Sequence, residues 1–366
     1  MIYTGGTIGR PAKPSQRKYQ PEVDIDLSPK DFFKKLDKRG LVVERGIELE
    51  YGEHVGIYDL SEHLLPNDWL GVAQSVLEAR DKGADGVVVA HGTDTMVWTA
   101  SALAFLLLGL DIPVLLTGSQ KALAEPSTDA FKHLSDAVFV ASHKELRGVF
   151  IVFAGDAHSH TLVHLGVRVQ KDQHADSRYV SVHTKPVARV CPRWLFEWQT
   201  KLKITNRALL SESVKLNTEA HLDRDLRLCP DVALFKLYPG FRPELLAQAA
   251  EGGFKAVVIE AYNGGTGPAC QLPDHKLHKE HSLLDVIKSL TNKDIPVFFV
   301  SQHRGRVTMD AYGSAVRLRG AGAVPLGDML PEAAVAKLMW ALGRYREAGK
   351  VKEIMVENLC GEVTRQ

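Results

Sequence analysis

The stretch Val87-Val88-Val89-Ala90-His91-Gly92-Thr93-Asp94-Thr95-Met96 passes from four small apolar residues straight into a polar cluster and then into a helical pattern. Near-continuous apolarity over about five residues is what a strand buried on both faces needs, and such strands belong to parallel sheets covered by helices. Similar runs recur at 86–90, 113–117, 149–153, 232–237, 256–260 and 296–300. Helix-period segments lie between them. The segment 67–82 sets Trp69, Leu70, Ala73, Val76 and Leu77 on one stripe, and 99–110 is apolar all round, as a helix buried on several sides would be. A further helix is expected over 331–348, turning Ala334, Leu338, Met339 and Leu342 to a core. Alternating strand and helix predict an α/β fold with helices layered on a mainly parallel sheet.

At 366 residues the chain exceeds what one hydrophobic core usually serves, so two domains are expected. Their spans are 1–190 and 231–366, the second smaller, with a connection over 191–230 where periodicity fades among prolines and charges. A composition 45% hydrophobic and 24% charged excludes a disordered chain. With 45 basic against 44 acidic side chains there is no global field to draw in nucleic acid or an anionic membrane, and no direct nucleic-acid binding is expected. Cys191, Cys229, Cys270 and Cys360 lie far apart with no C-x-x-C pair, which fits neither a disulfide scaffold nor a zinc cluster. The longest apolar stretch, 100–110, is too short to span a bilayer, and no leader pattern opens the chain. A cytoplasmic protein is the expectation.

Four segments carry groups with chemical potential. Thr4-Gly5-Gly6-Thr7-Ile8-Gly9 follows a very short strand, and its glycines let backbone N–H groups approach an anionic ligand. The cluster His91 to Met96 concentrates polar groups at the end of a buried strand, where they are costly unless bonded to each other or to a ligand. Asp94 or Thr95 as a helix cap accounts for one of these side chains only. Asp156-Ala157-His158-Ser159-His160, with His164 beyond, has the H-x-H spacing of some metal-dependent hydrolases and defines a rival class. Finally, Lys171 is an ordinary surface charge unless the fold carries it to Thr93 and Asp94, where it would help move a hydroxyl proton. No dinucleotide fingerprint, P-loop or G-x-S-x-G elbow is present.

Thr4-Gly-Gly-Thr7-Ile8 together with His91-Gly-Thr-Asp-Thr-Met96 resembles the asparaginase/glutaminase family of threonine amidohydrolases. The resemblance extends through Thr117-Gly-Ser-Gln120, Gly166-Val-Arg-Val-Gln-Lys171 and Ser301-Gln302 to Gly305-Arg-Val-Thr-Met309, nearly the whole chain. It is nearer the cytoplasmic type I asparaginases than the secreted type II enzymes. Within that group, 83–91, Ser61-Glu62, 328–332 and 337–340 look most like the D subunit of archaeal-type glutamyl-tRNA(Gln) amidotransferase. The resemblance implies a two-domain asparaginase-type fold. It implies Thr7 as nucleophile, Tyr19 in the loop 10–19 as its polarising tyrosine, and Thr93, Asp94 and Lys171 as a second Thr-Asp-Lys set. Ser61, Glu62, Gly92 and Ser119 would line the substrate. Family chemistry needs no metal and no cofactor.

The expected activity is hydrolysis of L-asparagine, with L-glutamine as a further substrate, through an acyl-threonine, in a homodimer or homotetramer. The alternative is the glutaminase subunit of a glutamyl-tRNA(Gln) amidotransferase; a metal hydrolase built on His158 and His160 ranks third. Asparaginase stands first because neither the extra N-terminal domain of such subunits nor a tRNA-binding module is evident. Three departures from the family stand out, one being that Tyr19 lies a little further from Thr7 than in typical relatives. Glu62 replaces the neutral side chain of many type I enzymes, and only Met1 to Tyr3 precede the first glycine turn, so a start further upstream is expected.

Overall fold

The computed structural model describes residues 1–5, 8, 28–39, 41, 46–52, 60–155, 160–172, 179–191, 201–270 and 276–364. Contacts divide the chain into two units, Met1–Leu226 and Arg227–Gln366. In the first unit the elements are β1 (Ile2–Tyr3), α1 (Pro29–Arg39), α2 (Pro66–Asp81), β2 (Val87–Ala90), α3 (Met96–Leu106), β3 (Pro113–Thr117), α4 (Ala130–Ala141), β4 (Gly148–Ala154), β5 (Thr161–Leu165), β6 (Val169–Lys171), β7 (Tyr179–Ser181), β8 (Ala188–Cys191), β9 (Lys201–Ile204) and α5 (Arg207–Glu219). Among the described residues they build a seven-stranded sheet in the order β1-β2-β3-β4-β5-β8-β9, with β6 and β7 pairing apart as a hairpin. Strands β1 to β4 run parallel, and β5, β8 and β9 continue the sheet antiparallel.

The apolar runs at 86–90, 113–117 and 149–153 fall on β2, β3 and β4, each buried along its whole length. Helix α3 is buried at ten of its eleven positions, which is why its sequence shows no polar face. The short first strand is stiffened from outside its ladder. Tyr3 stacks on Phe32 at 4.2 Å, Phe32 meets Phe33 edge-on at 5.5 Å, and Phe33 stacks on Tyr51 at 4.4 Å. Such offset aromatic contacts add to simple burial.

The stretch 191–230, expected as a connection, instead supplies β9 and α5 to the first unit. Strand β9 reads Lys-Leu-Lys-Ile on the sheet edge, its lysines exposed and its ladder, among the described residues, shared only with β8. Helix α5 starts at Asn206, whose side chain accepts from Leu209 N, and its buried face holds Ser213 and Asn217 beside Leu210. Gly148 of β4 makes room for that polar face: an added Cβ there would lie 3.1 Å from Asn217 Nδ2. Polar groups on an inward face leave little hydrophobic period to detect.

The second unit holds β10 (Val232–Lys236), α6 (Glu244–Glu251), β11 (Ala256–Ala261), α7 (Lys276–Glu280), α8 (Leu284–Asn292), β12 (Val297–Ser301), α9 (Gly313–Gly320), β13 (Ala323–Pro325), α10 (Pro331–Arg344) and α11 (Ala348–Val356). Its sheet, β10-β11-β12-β13, is parallel throughout. Leu246, Val257, Ile259, Ile287, Phe299 and Leu318 are central to its core. The helix expected over 331–348 stops at Arg344, where Tyr345 is extended. Gly343 passes the backbone of Arg227 so closely that a Cβ would sit 2.9 Å from it, and glycine weakens a helix at that point.

Lys337 of α10 is fully buried and paired with the fully buried Glu362 at 2.7 Å. Its ammonium also donates to the carbonyls of Met355, at 3.3 Å, and of Glu357. Glu362 accepts from Leu359 N and Cys360 N, at 3.0 and 2.8 Å. Burial alone would raise the Glu362 carboxyl; the Lys337 charge and these amides outweigh it and hold it below its ordinary value of 4.5. A carboxyl depressed by folding gives stability that is complete above its unfolded value and is lost as pH falls through the folded one. We therefore expect Lys337→Met to destabilise the chain by about 3–5 kcal/mol, because it strands a buried charge, and Lys337→Met with Glu362→Gln to recover at least half of this. Urea unfolding of the three proteins at pH 7 checks both, and a double variant no more stable than the single one contradicts the account.

Candidate functional site

Parallel pairing of β1, β2 and β3 brings their C-terminal ends to one sheet edge, with Tyr3 beside Ala90 and Ala90 beside Thr117. The loops beginning at Thr4, His91 and Gly118 therefore start together. Open α/β sheets bind ligands at such an edge. Thr4 N and Oγ1 both donate to Ala90 O, at 3.0 and 3.2 Å, and His91 N donates to Thr117 O at 2.8 Å. Gly118 is required by closeness: a Cβ there would lie 2.4 Å from His91 O and 3.3 Å from Thr93 Cγ2.

His91 is fully buried and held by a directional chain of hydrogen bonds. Trp69 Nε1 donates to Thr99 Oγ1 at 3.1 Å, the Thr99 hydroxyl meets His91 Nε2 at 2.9 Å, and His91 Nδ1 meets Gly92 O at 2.7 Å. A carbonyl only accepts, so Nδ1 carries the proton and Nε2 accepts from Thr99. Burial pulls the imidazole pKa down to about 4, against a smaller opposing effect of the Gly92 carbonyl. His91 is thus a neutral brace that fixes the backbone ahead of Thr93.

Lys171 reaches this edge because Gly166 lets the turn 166–168 press onto α3 and β4. A Cβ on Gly166 would lie 3.0 Å from Val149 O and 3.2 Å from Ala100 Cβ. Strand β6 then carries Lys171 to Thr93 and Asp94. Its ammonium donates to Thr93 Oγ1 at 3.0 Å and to Asp94 Oδ1 at 2.5 Å. The lysine side chain is 17% exposed and the aspartate 61%, so the pair is wet at its carboxylate end and enclosed at its ammonium end. Tyr179 of β7, wholly buried, donates its hydroxyl to Thr93 O at 2.6 Å.

Two further loops adjoin Thr93. Thr95 Oγ1 donates to Ser61 O at 2.8 Å, tying the turn Ser61–His63 to the loop; Ser61 is buried and Glu62 exposed. After β3, Asp129 accepts from Gln120 N and Lys121 N at 2.9 and 3.0 Å, and His133 Nδ1 donates to Gly118 O at 2.9 Å. Ser119 is buried, with its hydroxyl turned back onto Lys121 O at 2.6 Å.

Of the residues singled out from the sequence, Thr93, Asp94 and Lys171 meet directly. Gly92, Ser61 and Ser119 sit on the braced loops around them. Thr7 and Tyr19 lie outside the described residues, as does His158. Next to Thr7 in sequence, Ile8 is buried against Tyr3, Ala90 and Leu123, and its carbonyl accepts from Leu123 N at 3.1 Å. His164 is buried in β5 with Nδ1 on Ser181 Oγ at 2.8 Å, and His160 O accepts from Gly155 N at 2.8 Å. Among the described residues no three His, Cys, Asp or Glu side chains gather to hold a metal ion. Nor, among them, is any helix long and apolar enough to cross a membrane. Tyr179, Thr99, Asp129 and His133 were not singled out from the sequence, and Trp69 only as a core residue of α2. Tyr179 alone left a signal, following Lys171 at a distance suited to a hairpin return.

The buried histidines set an acid limit. Burial lowers His164 to about 4 as well, so both rings stay neutral in the fold and take up protons once unfolded. A depressed histidine costs stability as pH falls from its ordinary 6.5 toward the folded value. At roughly 1.4 kcal/mol per unit this amounts to about 3 kcal/mol for each ring. Urea unfolding between pH 7.5 and 4.5 checks this: stability should fall steadily below pH 6.5, and a level profile refutes it. Thr99→Val, which leaves His91 Nε2 without a donor, should cost about 1–3 kcal/mol at pH 7.5.

The chain matches the family model described as Asparaginase, N-terminal, over residues 1–202 and that of the Glutaminase/Asparaginase C-terminal domain over 231–355. It is 37% identical over 308 residues to the D subunit of the glutamyl-tRNA(Gln) amidotransferase of Metallosphaera sedula, covering 83% of this chain and 64% of that protein. With the corresponding D subunit of Aeropyrum pernix it is 37% identical over 315 residues, 84% of this chain and 68% of the relative. The chain thus spans about two thirds of these curated relatives. Among solved structures, the thermostable L-asparaginase from Thermococcus kodakarensis aligns with a TM-score of 0.76 and 29% identity, covering 100% of this chain and 98% of that one. L-asparaginase I from Vibrio cholerae gives 0.75 and 25%, covering 100% and 99%. From two matched domains, a two-domain α/β fold shared with these asparaginases and relatives above one-third identity, it follows that this chain belongs to the asparaginase/glutaminase family and is a hydrolase of the superfamily that includes the amidotransferase D subunits.

Proposed function

We propose that this chain is the glutaminase component of a glutamyl-tRNA(Gln) amidotransferase, releasing ammonia from the side-chain amide of L-glutamine for a partner that holds misacylated tRNA. The observation that carries an amidohydrolase reading is the meeting of Lys171 with Thr93 and Asp94 across 78 and 77 residues of sequence. The likeness to the amidotransferase D subunits, in relatives at 37% identity, supports glutamine and a partner over the free-standing asparaginase ranked first on sequence. A second reading, an independent L-asparaginase, draws support from the asparaginase folds that align over the full chain. Cytoplasmic location and assembly as a homodimer or homotetramer complete the proposal.

In this reading the Thr7 hydroxyl, polarised by Tyr19, attacks the amide carbon and passes its proton to the Thr93 oxygen as that hydroxyl gives its own to the leaving nitrogen. Donation from the Lys171 ammonium into Thr93 Oγ1 makes the Thr93 hydroxyl a better proton donor, aimed at the leaving nitrogen. The carbon–nitrogen bond breaks, ammonia departs with that proton, and an acyl ester on Thr7 remains. Thr93 then holds water for attack on the ester, which frees the acid and restores the Thr7 hydroxyl. Asp94 keeps the ammonium on Thr93, while Ser61 and Glu62 receive the α-carboxylate and α-ammonium of the substrate. Gly92 and Ser119 shape the wall beside them.

Ammonia release from L-glutamine and L-asparagine is to be measured with the chain alone and with the tRNA-holding partner and glutamyl-tRNA(Gln). Glutamine turnover stimulated by the partner supports the proposal; vigorous asparagine turnover by the chain alone supports the second reading; no release from either amide under any condition sinks both. Thr93→Val and Lys171→Met should each lower kcat by about 10²–10⁴, the usual range for lost proton transfer, with unchanged circular dichroism.

A further inference from the structure

We propose that Tyr179 is a positioning residue for this chemistry: its hydroxyl and the Lys171 ammonium, neighbours across one hairpin, grip the main chain and the side chain of Thr93 together. The inference rests on the amidohydrolase reading. In the β6–β7 pairing Lys171 stands directly opposite Tyr179. Residues so paired project from the same face with Cβ atoms about 5 Å apart. One of them takes Thr93 Oγ1 at 3.0 Å, and the other takes Thr93 O at 2.6 Å. A single contact leaves a residue free to swivel about it. Two contacts on different atoms of Thr93, from a common rigid base, fix its rotation as well as its place.

The clamp is built into the core. Tyr179 has no exposed surface, and its ring lies edge-on to Phe153 of β4 at 4.8 Å. Burial, with a smaller contribution from the Asp94 charge, raises the phenol well above its ordinary range, so the hydroxyl keeps its proton and always donates. The hairpin also joins the body next to Lys171, through Val182 N donating to Arg168 O at 2.8 Å. With Tyr179 in place, the spacing between Lys171 Nζ and Thr93 Oγ1 is set by sheet geometry instead of by the flexible lysine stem.

Tyr179→Phe keeps the ring and removes the donor. A loosened Thr93 acts on the reaction step and not on the grip on the amino-acid end, so kcat for ammonia release should fall about tenfold while KM stays within about twofold. A second readout does not require turnover: acetylation of Lys171 by an amine-specific reagent at fixed pH, followed by mass spectrometry. It should run at least about fivefold faster in Tyr179→Phe than in the natural chain, since the ammonium is freed from an enclosed pair. Leu210→Ala, a core truncation on α5, controls for general loss of stability and should label Lys171 at the natural rate. Equal labelling of Tyr179→Phe and the natural chain overturns the clamp, as does equal acceleration in Leu210→Ala, or an unchanged kcat where the natural chain is active. If the natural chain releases no ammonia from either amide even with the tRNA-holding partner and glutamyl-tRNA(Gln), the functional reading falls, and the labelling ratio alone decides the clamp.

Discussion

An ammonium group placed against a threonine hydroxyl is the contact on which the rest of the first unit converges. Lys171 Nζ stands 3.0 Å from Thr93 Oγ1 only because β2 ends where it does, α3 follows as a helix buried at all but one position, and Gly166 lets the following turn sit against Ala100. Asp94 contributes little to stability as an ion-pair partner, since its carboxylate is largely in water, where such pairs give about 0–1 kcal/mol. Its effect is on direction. It gives the ammonium a second acceptor beside Thr93, so the lysine head is held by both side chains at once.

Around that contact the protein uses its polar residues for bracing. Trp69, Thr99 and His91 form one line of bonds, Asp129 and His133 a second around Gly118, and Tyr179 a third on Thr93 O. Each satisfies a buried polar group that would otherwise be destabilising, and each restrains a loop that leaves the same sheet edge. The neutrality of His91 matters here. A charged imidazole two residues before Thr93 would add positive charge near an ammonium and remove the acceptor that Thr99 needs.

How far the sequence revealed this depends on the kind of element. Strands β2, β3, β4, β11 and β12 announced themselves as apolar runs because each is buried along nearly its whole length, and β10 did so through its buried first half. Strand β9 did not, with two exposed lysines on an edge, nor did α5, whose inward face holds Ser213 and Asn217. The meeting of Thr93, Asp94 and Lys171 was legible through family resemblance and not through spacing, since a separation of 77 residues says nothing about distance until a sheet order is known. Tyr179 left only the faint signal of a hairpin return after Lys171. Its neighbours Tyr-Val-Ser look like any short strand, and only the register opposite Lys171 gives its hydroxyl a task.

The enclosed lysine of α10 also has a bearing on the order of assembly. Lys337 and Glu362 stand 25 residues apart in sequence, so their pairing closes a loop that contains α11. Burying either charge without the other is costly, so α10 packs on that side only as the loop closes. The buried face of α10 and the segment that follows α11 therefore close together.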